Sequence, residues 1–383
     1  MLYFVSWLTD FTANQLVFTV TRGLAELRTA PLQVGLVGAS FAMASTLCNP
    51  VSGYLSDRFG RRVVAFAGAA MLFVSLLTVS QLAVDHWGAM AAFTLGGAAV
   101  GMIYPPVIAW LSQGLYGKFA SRAFLIFCVA FNLGVICGQQ TAGWLYQNYG
   151  ASAPLFVGMG ATGLIALLLF VTPAARSTVI SPASQLLEGE EVERARSAIF
   201  ARVAWIANFG GTFSYSIVLY HFPRLAVSLD IPAETHGAML AGSRAVILAT
   251  FIAMHLTTFW RHRLATVMTV QSLACGGLTL LAVAKSVPLL TLGLASLSTL
   301  IGCNYFASLY YTTTGSAEHV KGRATGIHEA TLAFGLAAGS LCGGLAGAWF
   351  TPRAPFWLAV TVVGALIVPQ LIVHARLTRR RHV

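Results

Sequence analysis

Four ionisable side chains interrupt long apolar runs of this chain. Asp10 lies near the middle of the first run, with Asn14 one turn later on the same helical face. Arg244 lies about two turns inside another run, and His328 and Glu329 lie side by side in a third. If these runs cross a membrane, each charge at the bilayer centre costs about 2.5–3.5 kcal/mol, so each needs a function or a partner.

Three roles compete for the two carboxylates. Asp10 or Glu329 could bind and release a coupling proton, contact a cationic substrate, or serve as the structural partner of Arg244. Arg244 itself is open to an ion pair or to an anion-binding role. His328 faces about 100° away from Glu329 around a helix, which favours a helix–helix hydrogen bond for His328.

The apolar runs have the length and number expected of a multi-pass membrane protein. Of 383 residues, 57% are hydrophobic and 9% charged, against roughly 25% charged in soluble domains. Runs of about 20 residues span the hydrocarbon core. We predict twelve spans, at 1–22, 32–56, 63–82, 88–112, 123–146, 152–172, 198–222, 235–259, 264–284, 287–313, 323–349 and 354–374. The first span has no basic leader and contains Asp10, so we expect it to remain uncleaved.

The net charge of +11 follows the membrane topology. With the N-terminus in the cytoplasm, most of the 23 Lys and Arg residues fall in cytoplasmic segments, which predicts that both termini are cytoplasmic. Nucleic acid is therefore not an expected partner. The six cysteines all lie in apolar spans without a CxxC pair, which argues against a disulfide framework or a metal site.

Two halves of the chain repeat one another around a polar linker. We predict a six-helix bundle over 1–172, a cytoplasmic linker over 173–197, and a second bundle over 198–383 with a basic cytoplasmic tail. SWLTDF at 6–11 aligns with AWIANF at 204–209, which places Asp10 opposite Asn208. At an offset of 201, the packing glycines of the fifth span match those of the eleventh: Gly134, Gly138, Gly335 and Gly339. Small residues at this spacing allow close helix packing. The repeat predicts two pseudo-symmetric bundles in one orientation.

GYLSDRFGRR at 53–62 lies between the second and third spans. It resembles the loop signature of the major facilitator superfamily, in a bacterial-like form, at Gly53, Asp57, Arg58, Gly60, Arg61 and Arg62. We expect the glycines to permit close helix approach and a tight turn. The resemblance implies an ionic latch from Asp57 to the start of the eleventh span, near Lys321–Arg323. The alternative is that the arginines only enforce topology. The equivalent loop, TTFWRHR at 257–263, has Thr258 in place of the Asp.

The resemblance also implies which spans line a central cavity, namely the first, fourth, seventh and tenth. It therefore favours as cavity residues Asn14, Tyr104, Asn208, Tyr215, Asn304 and Tyr311, and Tyr305 lies at the same depth. The fifth span departs from the superfamily's antiporter motif at Gln139 and Ala142, and the fourth has Phe93 where many drug–proton antiporters have Arg. These departures weaken an assignment to drug efflux.

The sequence favours a secondary transporter that works by alternating access. Its polar residues suit a small polar or amphipathic solute, and its carboxylates suit proton coupling. We expect a monomer in the plasma membrane. We also expect no cofactor, metal or catalytic residues, because the sequence has no nucleotide loop, nucleophile elbow or metal cluster. The alternative is a transporter-like sensor or assembly protein that moves nothing.

Overall fold

The protein is all-helical in the part that its structure, a computed structural model, describes: residues 1–111, 117–173, 188–316 and 321–379. The helices are α1 Leu2–Glu26, α2 Pro31–Phe59, α3 Arg61–Gln81, α4 Trp87–Leu111, α5 Gly117–Tyr149, α6 Ser152–Val171, α7 Glu188–Ser228, α8 Ala233–Leu256, α9 Leu264–Val283, α10 Val287–Gly315, α11 Lys321–Trp349, α12 Ala354–Ala365 and α13 Ile367–Arg379.

Ten stretches of the described residues are long and apolar enough to cross a membrane. One of them, Ala354–Arg376, runs through α12 and α13, which part at Leu366. The two other long helices, α1 and α7, are also long enough to span but contain more polar residues. The layout fits twelve spans in two six-helix bundles. Large apolar side chains lie exposed on the surface, among them Trp87, Leu47 and Phe170, as expected where lipid replaces water.

The first compact unit contains Met1–Pro182 and Pro223–Ala245. In it α1 packs on α5 and α6, α4 packs on α2 and α3, and α3 packs on α6. The connection from α7 to α8 is tied to this unit by polar contacts. Arg22 donates from Nη1 to the carbonyl oxygen of Ile231 at 3.0 Å, and Arg224 donates to that of Thr29 at 2.7 Å.

The second compact unit contains Ala183–Phe222 and Val246–Val383. In it α9 packs on α10 and α12, and α11 packs on α10 and α12. α7 begins at Glu188, so the last part of the predicted linker is helical. The rest of that linker, 174–187, lies outside the described residues, and the predicted boundary between the bundles stays a prediction.

Candidate functional site

Asp10 and Tyr104 meet across the contact between α1 and α4, inside the first unit. The Tyr104 hydroxyl donates a hydrogen bond to Oδ2 of Asp10. Asn14, one turn along α1, donates from Nδ2 to the backbone oxygen of Asp10 at 2.8 Å. All three side chains are half-buried, so the carboxylate is desolvated without being sealed off.

Arg244 reaches the same place from α8 in the first unit. Its guanidinium is close enough to attract the Asp10 carboxylate electrostatically, and its Cζ lies 5.6 Å from the ring centroid of Phe131 on α5. Phe131 gave no signal in the sequence, because an aromatic residue on an apolar helix is unremarkable there. The structure thus brings together two of the predicted charges, on α1 and α8, and Tyr104 is hydrogen-bonded to one of them.

Two glycines of α5 allow this site to assemble. A Cβ at Gly134 would lie 3.1 Å from Cβ of Asp10 and would collide with the backbone oxygen of Trp7. A Cβ at Gly138 would lie 2.7 Å from the oxygen of Phe11 and 3.0 Å from Cβ of Asn14. Only a residue without a side chain lets α5 lie this close to the polar face of α1.

The equivalent position in the second unit holds an uncharged pair. Asn208 on α7 is 2% exposed, and its Nδ2 has no hydrogen-bond partner among the described residues. Asn304 on α10 donates from Nδ2 to the backbone oxygen of Ala207 at 2.9 Å. Gly335 and Gly339 of α11 lie against the backbone of Phe209 and Phe213. The helix crossing is repeated, and the charge is not.

His328 and Glu329 point to different surroundings, as their spacing predicts. Nδ1 of His328 lies 2.7 Å from Oγ of Ser308 on α10, and the His328 side chain is fully buried. The ring of Tyr305 lies 5.4 Å from that of His328. The side chain of Glu329 is 56% exposed, and Oε1 lies 3.8 Å from Nε2 of His328. These residues lie in the second unit, whereas Asp10 and Arg244 lie in the first.

Tyr311 lies in an aromatic cluster of the second unit. It is 2% exposed, and its hydroxyl accepts a hydrogen bond from the backbone nitrogen of His262 at 2.7 Å. Trp260 and Phe200 pack on the same ring. Asn304, another predicted cavity residue of α10, contacts the backbone of α7. Tyr215 is half-buried on α7.

The comparisons with known proteins agree with the helical layout. The family model of the Major Facilitator Superfamily matches residues 1–326. The chain belongs to this superfamily. The resemblance seen in the sequence is thereby confirmed, and the protein is a multi-pass membrane protein.

Curated relatives of this protein match it over part of their length. Multidrug resistance protein 1 of Bacillus subtilis (strain 168) is 28% identical over 204 residues, which are 51% of this chain and 49% of the relative. The class C tetracycline resistance protein of Escherichia coli is 32% identical over 137 residues, 35% of this chain and 33% of the relative. The aligned part therefore spans about a third to a half of these relatives.

Solved structures resemble this protein over nearly all of its length. The xylose transporter XylE from E. coli, in an inward open conformation, has a TM-score of 0.73 at 11% identity, covering 97% of this chain and 94% of that one. The nucleoside transporter NupG has a TM-score of 0.70 at 13% identity, covering 97% and 98%. At these identities the likeness concerns the fold alone.

The chain turns within the loop signature at Gly60, whose φ of 94° favours glycine. Arg61 donates to the backbone oxygen of Ala109 at 2.8 Å, near the end of α4, and Arg62 donates to that of Thr172, just after α6. Both arginines thus satisfy carbonyl groups at helix C-termini, where the helix dipole favours a cation.

Two other residues of the signature are placed differently. No atom lies within 4 Å of a Cβ built at Gly53, so the expectation of a close helix approach at Gly53 is not met. Asp57 and Arg58 are exposed, and among the described residues no cation lies within 4.0 Å of the Asp57 carboxylate. The side chains of residues 321–326, where the latch was predicted to end, lie outside the described residues.

The second unit also has an open groove of about 550 Å³. It is lined mainly by apolar side chains of α7 and α11, including Trp205, Phe209, Ile327 and Phe334. None of the polar residues predicted for the site lines this groove.

Proposed function

We propose that this protein is a secondary active transporter that moves a small polar or amphipathic solute by alternating access, coupled to protons through Asp10. The observation that carries the proposal is the Asp10–Tyr104 hydrogen bond beside Arg244. Asp10 lies in a membrane span, where a permanent charge is costly, so a carboxylate there suits reversible protonation. Loss of that charge also removes its attraction for Arg244, so protonation can change how α8 packs on α1.

In this proposal the protein resides in the plasma membrane as a monomer, with both termini in the cytoplasm. The support for this orientation is the excess of Lys and Arg on that side in the sequence. Asp57, exposed and near a fixed turn, is a gating residue that makes its ionic contact in one state of the transport cycle only.

The test is proton flux in proteoliposomes that contain a trapped pH-sensitive dye. The probes are tetracycline, D-xylose, uridine and benzoate, added one at a time. We expect at least one probe to move protons with the wild type, and Asp10→Asn to reduce that flux at least about tenfold, as expected on loss of an essential acid–base group.

Asp85→Asn is the matched control, because Asp85 is exposed between α3 and α4. It undergoes the same chemical change away from the site and should keep the full flux. Full flux in Asp10→Asn would exclude Asp10 as the coupling residue. No flux with any probe would favour the sensor or assembly alternative.

A further inference from the structure

Arg244, which is half-buried, differs from the buried Arg22 of the first unit in what its guanidinium contacts. Arg22 is 7% exposed and donates from Nε to Oε1 of Glu26 at 2.7 Å and from Nη1 to Ile231. For Arg244, by contrast, no described carboxylate oxygen lies within 4.0 Å. Its Nε is buried and has no hydrogen-bond partner among the described residues.

Such an arginine is costly to keep in a membrane span without a partner. A buried donor without a hydrogen-bond partner destabilises the folded state, and more so if it is charged. Asp10 does not meet this need in this arrangement, since neither of its carboxylate oxygens lies within 4.0 Å of the guanidinium nitrogens. Phe131 packs near the guanidinium, with Cζ 5.6 Å from its ring centroid, but an aromatic ring offers no conventional hydrogen-bond acceptor for the N–H donors.

We infer that Arg244 binds an anionic group of the transported solute, so that the substrate class is a small organic acid with an apolar or aromatic body. A carboxylate fits the fork of a guanidinium with two parallel hydrogen bonds. The apolar body would lie against Phe131 and Tyr104, whose rings border the two charges. This inference rests on the proposed transport function and specifies its substrate.

Asp10 then has a defined part in selecting the solute. A bound carboxylate and an ionised Asp10 would repel one another across the same guanidinium. Binding of the acid is therefore favoured when Asp10 is protonated. This is the linkage that proton–anion co-transport requires.

The experiment compares each acid with its neutral amide on the full-length purified protein. The pairs are benzoate with benzamide and indole-3-acetate with indole-3-acetamide, and binding is followed by the shift in melting temperature. We expect at least one acid to bind at least about tenfold more tightly than its amide, a difference of about 1.4 kcal/mol. Arg244→Gln should abolish this preference, and Arg244→Lys should keep part of it, because the charge remains and the fork is lost.

Arg196→Gln is the control, since Arg196 is exposed on α7, away from the site, and its loss should leave the preference intact. The inference is overturned if the wild type and Arg244→Gln respond alike to all four compounds, or if Arg244→Gln weakens acid and amide equally. This outcome is separable from failure of the transport proposal. If a neutral probe drives a proton flux that Asp10→Asn abolishes and Arg244→Gln leaves unchanged, the transport proposal stands and the anionic substrate is excluded.

Discussion

The contact of α1 with α5 and that of α7 with α11 have the same construction and different chemistry. In both, two glycines one turn apart lie against the backbone of the neighbouring helix. In the first unit the helix beside them carries Asp10, hydrogen-bonded to Tyr104. In the second it carries Asn208, which is buried and uncharged. A duplicated fold can thus keep its packing while only one copy keeps the ionisable group.

The two equivalent loops, at 53–62 and 257–263, also differ in their charged residues and in their burial. The loop with Asp57 is exposed, and its arginines bond to the ends of α4 and α6. The loop with Trp260 and His262 is held inside the second unit. Trp260 is 3% exposed and donates to the backbone of Met254 and Thr257 at 2.9 Å. The loop without an Asp has the Trp260 side chain buried in its own unit, whereas the Asp57 side chain of the other loop is exposed.

The largest effect is expected at the shared helix crossings. Gly138→Leu and Gly339→Leu should each prevent folding, because the new Cβ would lie 2.7 Å from the Phe11 oxygen or 2.8 Å from the Phe213 carbonyl carbon. Overpacking costs about 1–3 kcal/mol where side chains can yield, and a backbone yields less. The yield of monodisperse protein and its melting temperature provide the measurement.

Gly160→Leu is the matched control, since nothing lies within 4 Å of its Cβ. It should leave stability nearly unchanged. If leucine is tolerated at one of the two crossings as well as at position 160, the two helix contacts do not contribute equally to stability. The proposed equivalence of the two contacts is then wrong.

A smaller effect is expected at His262, whose Nε2 lies 3.2 Å from Oγ of Ser197 and 3.8 Å from Oε1 of Glu193. Burial lowers the pKa of His262 below its ordinary 6.5, and Arg196 and Arg261 lower it too, against the opposing effect of Glu193. The unfolded chain therefore binds the proton more readily than the folded one. The free energy of unfolding should fall as the pH drops below 6.5.

The measurement is the melting temperature between about pH 7.5 and about pH 5.5. His262→Gln should lose about 2 °C less than the wild type over this range. His86→Gln, an exposed residue before α4, is the control and should follow the wild type. A parallel decline in all three proteins would show that His262 does not titrate with folding.

The smallest effect on stability is expected at Asp57, and it should come with a large effect on transport. Asp57→Asn changes an exposed side chain, so the free energy of unfolding should stay within about 0.5 kcal/mol of the wild type. Proton flux should fall, since the proposed contact needs the charge. Thr258→Ala, at the equivalent and exposed position of the fixed loop, should change neither quantity. Full flux in Asp57→Asn would remove the gating role.

Local pattern was enough for the membrane class, the helices and the family. Runs of apolar residues and the GYLSDRFGRR signature are contiguous in sequence, so they can be recognised without knowledge of packing. α7 begins at Glu188, before the span predicted over 198–222, because the charged stretch EGEEVERAR lacks the apolarity of a span and yet is part of the same helix. Helix ends beyond the bilayer leave little trace in hydropathy.

The sequence by itself determined that Asp10, Arg244, His328 and Glu329 require explanation, because each is a charge or a dipole where water is scarce. Only the tertiary structure decided which of them meet. Asp10 and Arg244 come together with Tyr104 and Phe131, whereas His328 bonds to Ser308 and Tyr311 to the loop at His262. The reason is physical: a helix fixes which residues share its face, but the rotation and depth of neighbouring helices are set by side-chain packing over long sequence separations. Here that packing depends on glycines one turn apart.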